Sequence, residues 1–224
     1  MNKETNFLVK KDEAYYSTVL FMVENYIIMV KHWKGSVYKI FGGTYSGSEE
    51  QWIKRGEGKD HYDNFNEKSI SRKIRLTLKK VFKKNMDDGI LSIKTIDDLT
   101  HLLVNKFGNE PEKIQAVIEM IEETGLIPVD LKPFHKQVRG IQQFFFICEE
   151  AFAFSRDRKS FIPVNLLADL PLEGQDYSCS DEDIESVNLV HISDVENYEK
   201  YNFAHSHRDV LKSFSMKKFV EKDK

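Results

Sequence analysis

Apolar residues fall into runs with two different periods along this chain. Near the N-terminus, Tyr15-Tyr16-Ser17-Thr18-Val19-Leu20-Phe21-Met22-Val23 is β-branched and aromatic. Tyr26-Ile27-Ile28-Met29-Val30 continues that character, and Val37-Tyr38-Lys39-Ile40-Phe41 alternates. These runs predict three strands, the first two joined by a hairpin at Glu24-Asn25 and the third ended by Gly42-Gly43. From Ser69 the spacing changes. Ile70, Ile74, Leu78 and Phe82 recur every fourth residue, which predicts an amphipathic helix over 69–84 with a lysine-rich outer face. Asp87-Asp88-Gly89 marks a turn. Residues 96–107 read as a second helix, capped at or near Thr95 and closed by Gly108. A third helix opens at Glu110-Pro111, where proline is tolerated in the first turn, and stops at Gly125. Strands resume near Gly140 to Cys148, with Ala151 to Phe154 continuing. An acidic, turn-rich stretch over 169–185 leads to a strand at Val187 to Ile192, a short helix capped by Ser193 or Asp194, and a C-terminal helix from His205 to Phe219. The order strands, helices, strands, helix calls for helices on both faces of a mixed sheet.

Composition narrows the class. The 224 residues suffice for one large domain with a real core. A hydrophobic fraction of 41% and a charged fraction of 31% exclude wholesale disorder. A net charge of −3 excludes a polycation built to coat nucleic acid. The charge is nevertheless uneven. Between Gln51 and Asn85 there are eleven Lys/Arg against four Asp/Glu, an excess of +7. Arg72, Lys73, Arg75, Lys79, Lys80, Lys83 and Lys84 make this segment either a surface for RNA phosphates or a solvated face.

Two cysteines, Cys148 and Cys179, are too few for a disulfide framework or a four-cysteine zinc site. They read as reduced thiols of a cytoplasmic protein, with signal-independent export left open. The apolar stretch Val19 to Val30 is interrupted by Glu24 and Asn25 and is too short to span a bilayer, so no membrane partner is expected. His205-Ser206-His207 has no nearby cysteine and no HExxH setting, and reads as a pair of helix-start histidines.

The segment from Glu112 to Leu126 carries the chemistry. Ile114, Val117, Ile118 and Ile121 fall at i, i+3, i+4 and i+7 and make a buried stripe. Glu119, Glu122 and Glu123 share another arc of about 100°, with Glu112 and Gln115 projecting near it. Carboxylates this close repel one another, and a hard divalent cation removes that repulsion. An acidic helix face in solvent has the same spacing, so spacing alone does not separate the two.

The flanks add to this. Glu119-Met120-Ile121-Glu122-Glu123-Thr124-Gly125-Leu126 resembles the second half of the Nudix box, E-U-x-E-E-x-G-U, at every defined position. The first half, G-x5-E, resembles Gly43-Thr44-Tyr45-Ser46-Gly47-Ser48-Glu49, preceded by Gly42 at a strand end. A helical insertion over roughly 50–109 would then split the box. Glu49 and Glu110 both suit the box's first glutamate. The box arginine is replaced by Ile118, and Arg139, Lys39 and Lys31 are candidate substitutes.

The resemblance implies an α/β fold: a single Nudix-like α/β/α sandwich over 1–224 with a mixed sheet and the helical insertion. It implies a metal-dependent hydrolase that cleaves a pyrophosphate bond in a nucleoside diphosphate-linked compound. Glu119, Glu122 and Glu123 would hold Mg²⁺ or Mn²⁺. Gly42, Gly43, Glu49 and Gly125 would shape the box, and Lys39 and Arg139 are phosphate-binding candidates. The base would be Glu119, Glu123 or a later glutamate, Glu185 ahead of Glu182. Alternatives are an RNA 5′-end or cap pyrophosphohydrolase using the basic insertion, a catalytically weak nucleotide-binding module, and an interaction protein working through the insertion. A homodimer is common in such proteins.

Overall fold

The computed structural model describes residues 15–45, 67–139, 141–170, 184–197 and 199–222. Strand β1 (Tyr15–Val23) turns at Glu24-Asn25 into β2 (Tyr26–His32). Glu24 takes a positive φ of 55°, as a two-residue hairpin turn requires. Then come β3 (Val37–Lys39) and β4 (Phe41–Tyr45). Among the described residues, three helices follow: α1 (Glu67–Val81), α2 (Lys83–Asp87) and α3 (Ile93–Phe107). Helix α4 (Pro111–Thr124) leads to β5 (Ile127–Pro128), β6 (Lys132–Arg139), β7 (Ile141–Cys148), β8 (Ala151–Ser155) and β9 (Ser160–Pro163). Strand β10 (Ile184–His191) and helix α5 (His205–Lys222) complete the chain.

The main sheet runs β10-β2-β1-β7-β6, with β3 on β2 and β4 on β1. It is mixed: β1 is antiparallel to β4 and parallel to β7. Alternation along β1 and β2 divides the core. Val19, Phe21, Val23, Ile28 and Val30 face α1, α3 and α4. Leu20, Ile27 and Met29 face α5 through Val210, Leu211 and Phe214. The fold is therefore a mixed α/β/α sandwich. Strands β5, β8 and β9 form a small second sheet under the first helical layer.

Several elements differ from the sequence expectation. The run 37–41 is two strands, because the Ile40 N–H leaves the ladder and donates to His207 Nδ1 at 3.1 Å. Gly42-Gly43 does not end a strand. Both glycines lie inside β4, paired with Thr18 and Ser17. The helix over 69–84 breaks at Phe82, whose backbone (φ −99°, ψ 19°) leaves the helical region. Its ring packs edge-on against Phe161 and Phe154, at 5.3 and 6.1 Å between centroids. Helix α3 starts three residues early because Ser92 Oγ accepts from Thr95 N at 3.1 Å. Strand β6 was not expected. It is an edge strand with Lys132, Pro133 and Lys136, and such polar edges lack the apolar alternation that reveals central strands.

His207 is buried in the α5 layer, with its Nδ1 accepting from the Ile40 N–H. Burial, then the charges of Lys39 and His32, push its pKa down to about 3. Its unfolded pKa is about 6.5. Above pH 6.5 both states are neutral and no pH-dependent term arises. Between 6.5 and 3 the unfolded chain binds a proton that the folded chain refuses. Stability should fall by about 1.4 kcal/mol per pH unit as the pH drops through that window. His207→Gln keeps an acceptor for Ile40 N–H, and should resist acid better than the wild type by about 2 kcal/mol between pH 6.5 and 5. Urea melts at the two pH values measure this, and parallel losses would exclude the histidine as the cause.

Candidate active site

Helix α4 is built at both ends by local chemistry. Pro111 sits in its first turn, and Gly125 ends it in the left-handed region at φ 69°. Its apolar stripe is buried as expected, with Ile114, Val117, Ile118 and Ile121 no more than 1% exposed. Ile118 thus lies in the core. A guanidinium there would need a buried partner, which explains why an aliphatic residue suits this packing.

The stripe orients the acidic arc toward β4. Gly42 N donates to Glu123 Oε2 at 3.1 Å. The Glu119 carboxylate sits against Gly43, in the space a Cβ would fill. Ser17 is directly opposite Gly43 in the ladder, so its side chain projects from the same sheet face as the Glu119 carboxylate. Its Oγ is buried with no hydrogen-bond partner. The Tyr16 hydroxyl donates to Gly42 O at 2.9 Å. Its pKa is raised by burial and then by the charges of Glu123 and Glu119. Glu123 is 2% exposed and Glu119 is half-buried.

Glu122 turns elsewhere: its Oε1 accepts from Thr77 Oγ1 of α1 at 3.2 Å. Among the described residues, no three His, Cys, Asp or Glu side chains group as a metal site. Two carboxylates converge rather than three. That donor set still fits a hard cation, because Mg²⁺ is commonly held by one or two carboxylates, with water and substrate phosphate completing its shell. The unpartnered Ser17 hydroxyl on that face agrees with such an occupant.

Helix α1 contributes to the same region. Lys73 Nζ donates to Gln115 Oε1 at 3.2 Å, and Gln115 Nε2 donates to Glu119 Oε1. The sequence places Gln115 near the arc and Lys73 in a basic run facing RNA phosphates or solvent, and assigns no role to Thr77, Ser17 or Tyr16. Gln115, four residues before Glu119, was the one legible signal.

The remaining candidates are dispersed. Glu185 lies in β10, not in a loop before it, at a register irregularity between Ile184 and Ser186. It pairs with Lys31 Nζ at 3.0 Å, which holds the lysine above its ordinary pKa. Lys39, in β3, exerts its charge on His207 on the α5 side. Arg139 ends edge strand β6, opposite Ile141. Glu110 precedes α4 and pairs with Lys113 at 2.7 Å. Glu49, Glu182 and Cys179 lie outside the described residues. Within the basic run, Lys73 is engaged with α4 and Arg75 with Asp97 of α3, while Arg72, Lys80, Lys83 and Lys84 are exposed. Cys148 is buried, its thiol pushed up to about 12 by burial and then by the Asp130 charge, so it is no nucleophile. No helix among the described residues is long and apolar enough to cross a membrane.

No protein-family model matches the chain, and no curated protein matches it. Solved structures do. A Nudix-family hydrolase from Clostridium perfringens aligns over 91% of this chain and 97% of its own, with 10% identity and a TM-score of 0.44. The MutT Nudix hydrolase from Burkholderia pseudomallei aligns over 90% and 97%, with 9% identity and a TM-score of 0.42. The mutator MutT protein from Bacillus halodurans aligns over 89% and 80%, with 8% identity and a TM-score of 0.41. The chain is similar to these proteins in fold.

Proposed function

We propose that this protein is a Nudix-type hydrolase that uses Mg²⁺ or Mn²⁺ to cleave a pyrophosphate bond in a nucleoside diphosphate-linked compound. The observation that carries the reading is the convergence of Glu119 and Glu123 on Gly42-Gly43, at a place where a single methyl group would displace a carboxylate. A merely solvated acidic face would not bury Glu123 or select glycine opposite Glu119. When bound, the cation neutralises charge on the diphosphate and favours attack by water. The chain's own residues do the rest. Gly42 N–H holds one Glu123 oxygen. Gln115 holds one Glu119 oxygen. Gly43, without a side chain, leaves room for the Glu119 carboxylate. Glu123 is the general base of this reading, since Glu185 is already engaged by Lys31.

A second reading rests on Ile118. Without a charged residue there, the fold would bind a nucleotide and turn it over poorly. One screen separates the two. Nucleoside triphosphates, dinucleoside polyphosphates, ADP-ribose, NAD(H), nucleotide sugars, inositol pyrophosphates and capped RNA are offered with Mg²⁺ or Mn²⁺. Cation-dependent release of a phosphorylated product from at least one compound is expected. Thermal stabilisation by a nucleotide with no turnover would favour the binding module. Turnover of capped RNA alone, weakened by salt, would bring in the exposed lysines of α1 and α2.

A further inference from the structure

Two side chains of α1, four residues apart and so on one face, reach the acidic arc of α4. Thr77 donates to Glu122, and Lys73 donates to Gln115, which donates in turn to Glu119. Gln115 is 5% exposed, so its amide is satisfied mostly by protein. An ammonium group only donates, and an amide oxygen only accepts. Lys73 therefore fixes which way the Gln115 amide is turned. With its oxygen toward Lys73, its NH₂ is presented to Glu119 and holds one carboxylate oxygen. Meanwhile Ile118, at the box position that carries an arginine in the resembling family, is sealed in the core.

We propose that Lys73, acting through Gln115, is the positioning residue for Glu119. The helical segment between β4 and α4 thereby supplies the second-rank charge that the box helix lacks at Ile118. This inference rests on the reading of Glu119 as a cation-holding carboxylate. It also makes the site dependent on the docking of α1, because Lys73 and Thr77 reach α4 only when the Ile70, Ile74 and Leu78 face of α1 is packed.

The test is Mn²⁺ affinity of the full chain without substrate, read from the electron paramagnetic resonance signal of free Mn²⁺. Melting in EDTA checks the fold of each variant. Lys73→Met should weaken Mn²⁺ binding about 10-fold, the lower end of the effect of removing such a supporting group. Lys73→Arg keeps the charge and the donor and should stay within about threefold of the wild type. In a Gln115→Leu background, Lys73→Met should cost nothing further, because the route to Glu119 is already cut. Lys73→Gln replaces Lys73→Met if the latter fails to fold. Wild-type affinity in Lys73→Met, or losses that add in the double variant, would overturn the role of Lys73. If Glu119→Gln loses Mn²⁺ in the same series, the reading of the site survives that failure. If Glu119→Gln binds Mn²⁺ like the wild type, the reading falls and the inference falls with it.

Discussion

Gly43→Ala is expected to fold normally and to lose the proposed activity, while Gly42→Ala is expected to be markedly destabilised. The two glycines are neighbours in one strand, and their surroundings differ. A Cβ at Gly43 meets the Glu119 carboxylate, the far end of a flexible side chain. That carboxylate can swing away at little cost, and alanine restricts the unfolded chain, so stability should change by less than about 1 kcal/mol. The displaced carboxylate no longer stands beside Glu123. Mn²⁺ affinity should fall at least about 10-fold and turnover at least about 100-fold. A Cβ at Gly42 meets the Ser17 carbonyl oxygen and, at 2.8 Å, Thr18 Cα. Backbone in the middle of a sheet cannot swing away. The β1–β4 pairing must open, at a cost of about 2–3 kcal/mol, the scale of overpacking in a core. Urea melts and Mn²⁺ titration on the two variants measure both effects. Equal damage to stability at both positions would dismiss Gly43 as a seat for Glu119.

The three glutamates should be unequal. Glu119→Gln and Glu123→Gln are each expected to lower turnover by about 10²–10³-fold, the scale for losing one group that faces developing charge. Glu122→Gln should cost about 10-fold, because that carboxylate is turned toward Thr77 and supports the site from its edge. Stability tells the same story with the opposite sign. Glu119 and Glu123 are like charges one turn apart on the same helix. Neutralising either should leave the cation-free chain no less stable, and should abolish the stabilisation by Mn²⁺ that is expected of the wild type. Melts with EDTA and with Mn²⁺ measure this directly. A Glu122→Gln variant as inactive as the other two would mean that all three carboxylates serve the reaction together.

Much of the frame could be read from residues alone, since local period and punctuation decide it. β1 and β2 alternate across two cores, so their runs are apolar throughout and turn where Glu24-Asn25 breaks them. Helix α4 carries its own start, stripe and stop in Pro111, Ile114 to Ile121 and Gly125. The acidic arc follows from 3.6 residues per turn, and so does the candidacy of Glu119, Glu122 and Glu123.

Tertiary packing decided the rest, because it depends on which surfaces meet. Spacing put three carboxylates on one arc. Only the approach of β4 and α1 divided them: Glu119 toward Gly43, Glu123 toward Gly42 N–H, and Glu122 toward Thr77. The double glycine looked like a turn because glycine usually marks one. Here its lack of a side chain is used inside a strand, to admit a carboxylate from a helix distant in sequence. The basic run looked like a single outer face. Lys73 instead turns inward to Gln115, 42 residues away, which no periodicity within α1 encodes. Periodicity reports how a residue lies on its own element. The site arises between elements, where distance is set by the packing of Ile70, Ile74, Val117 and Phe41 in a shared core.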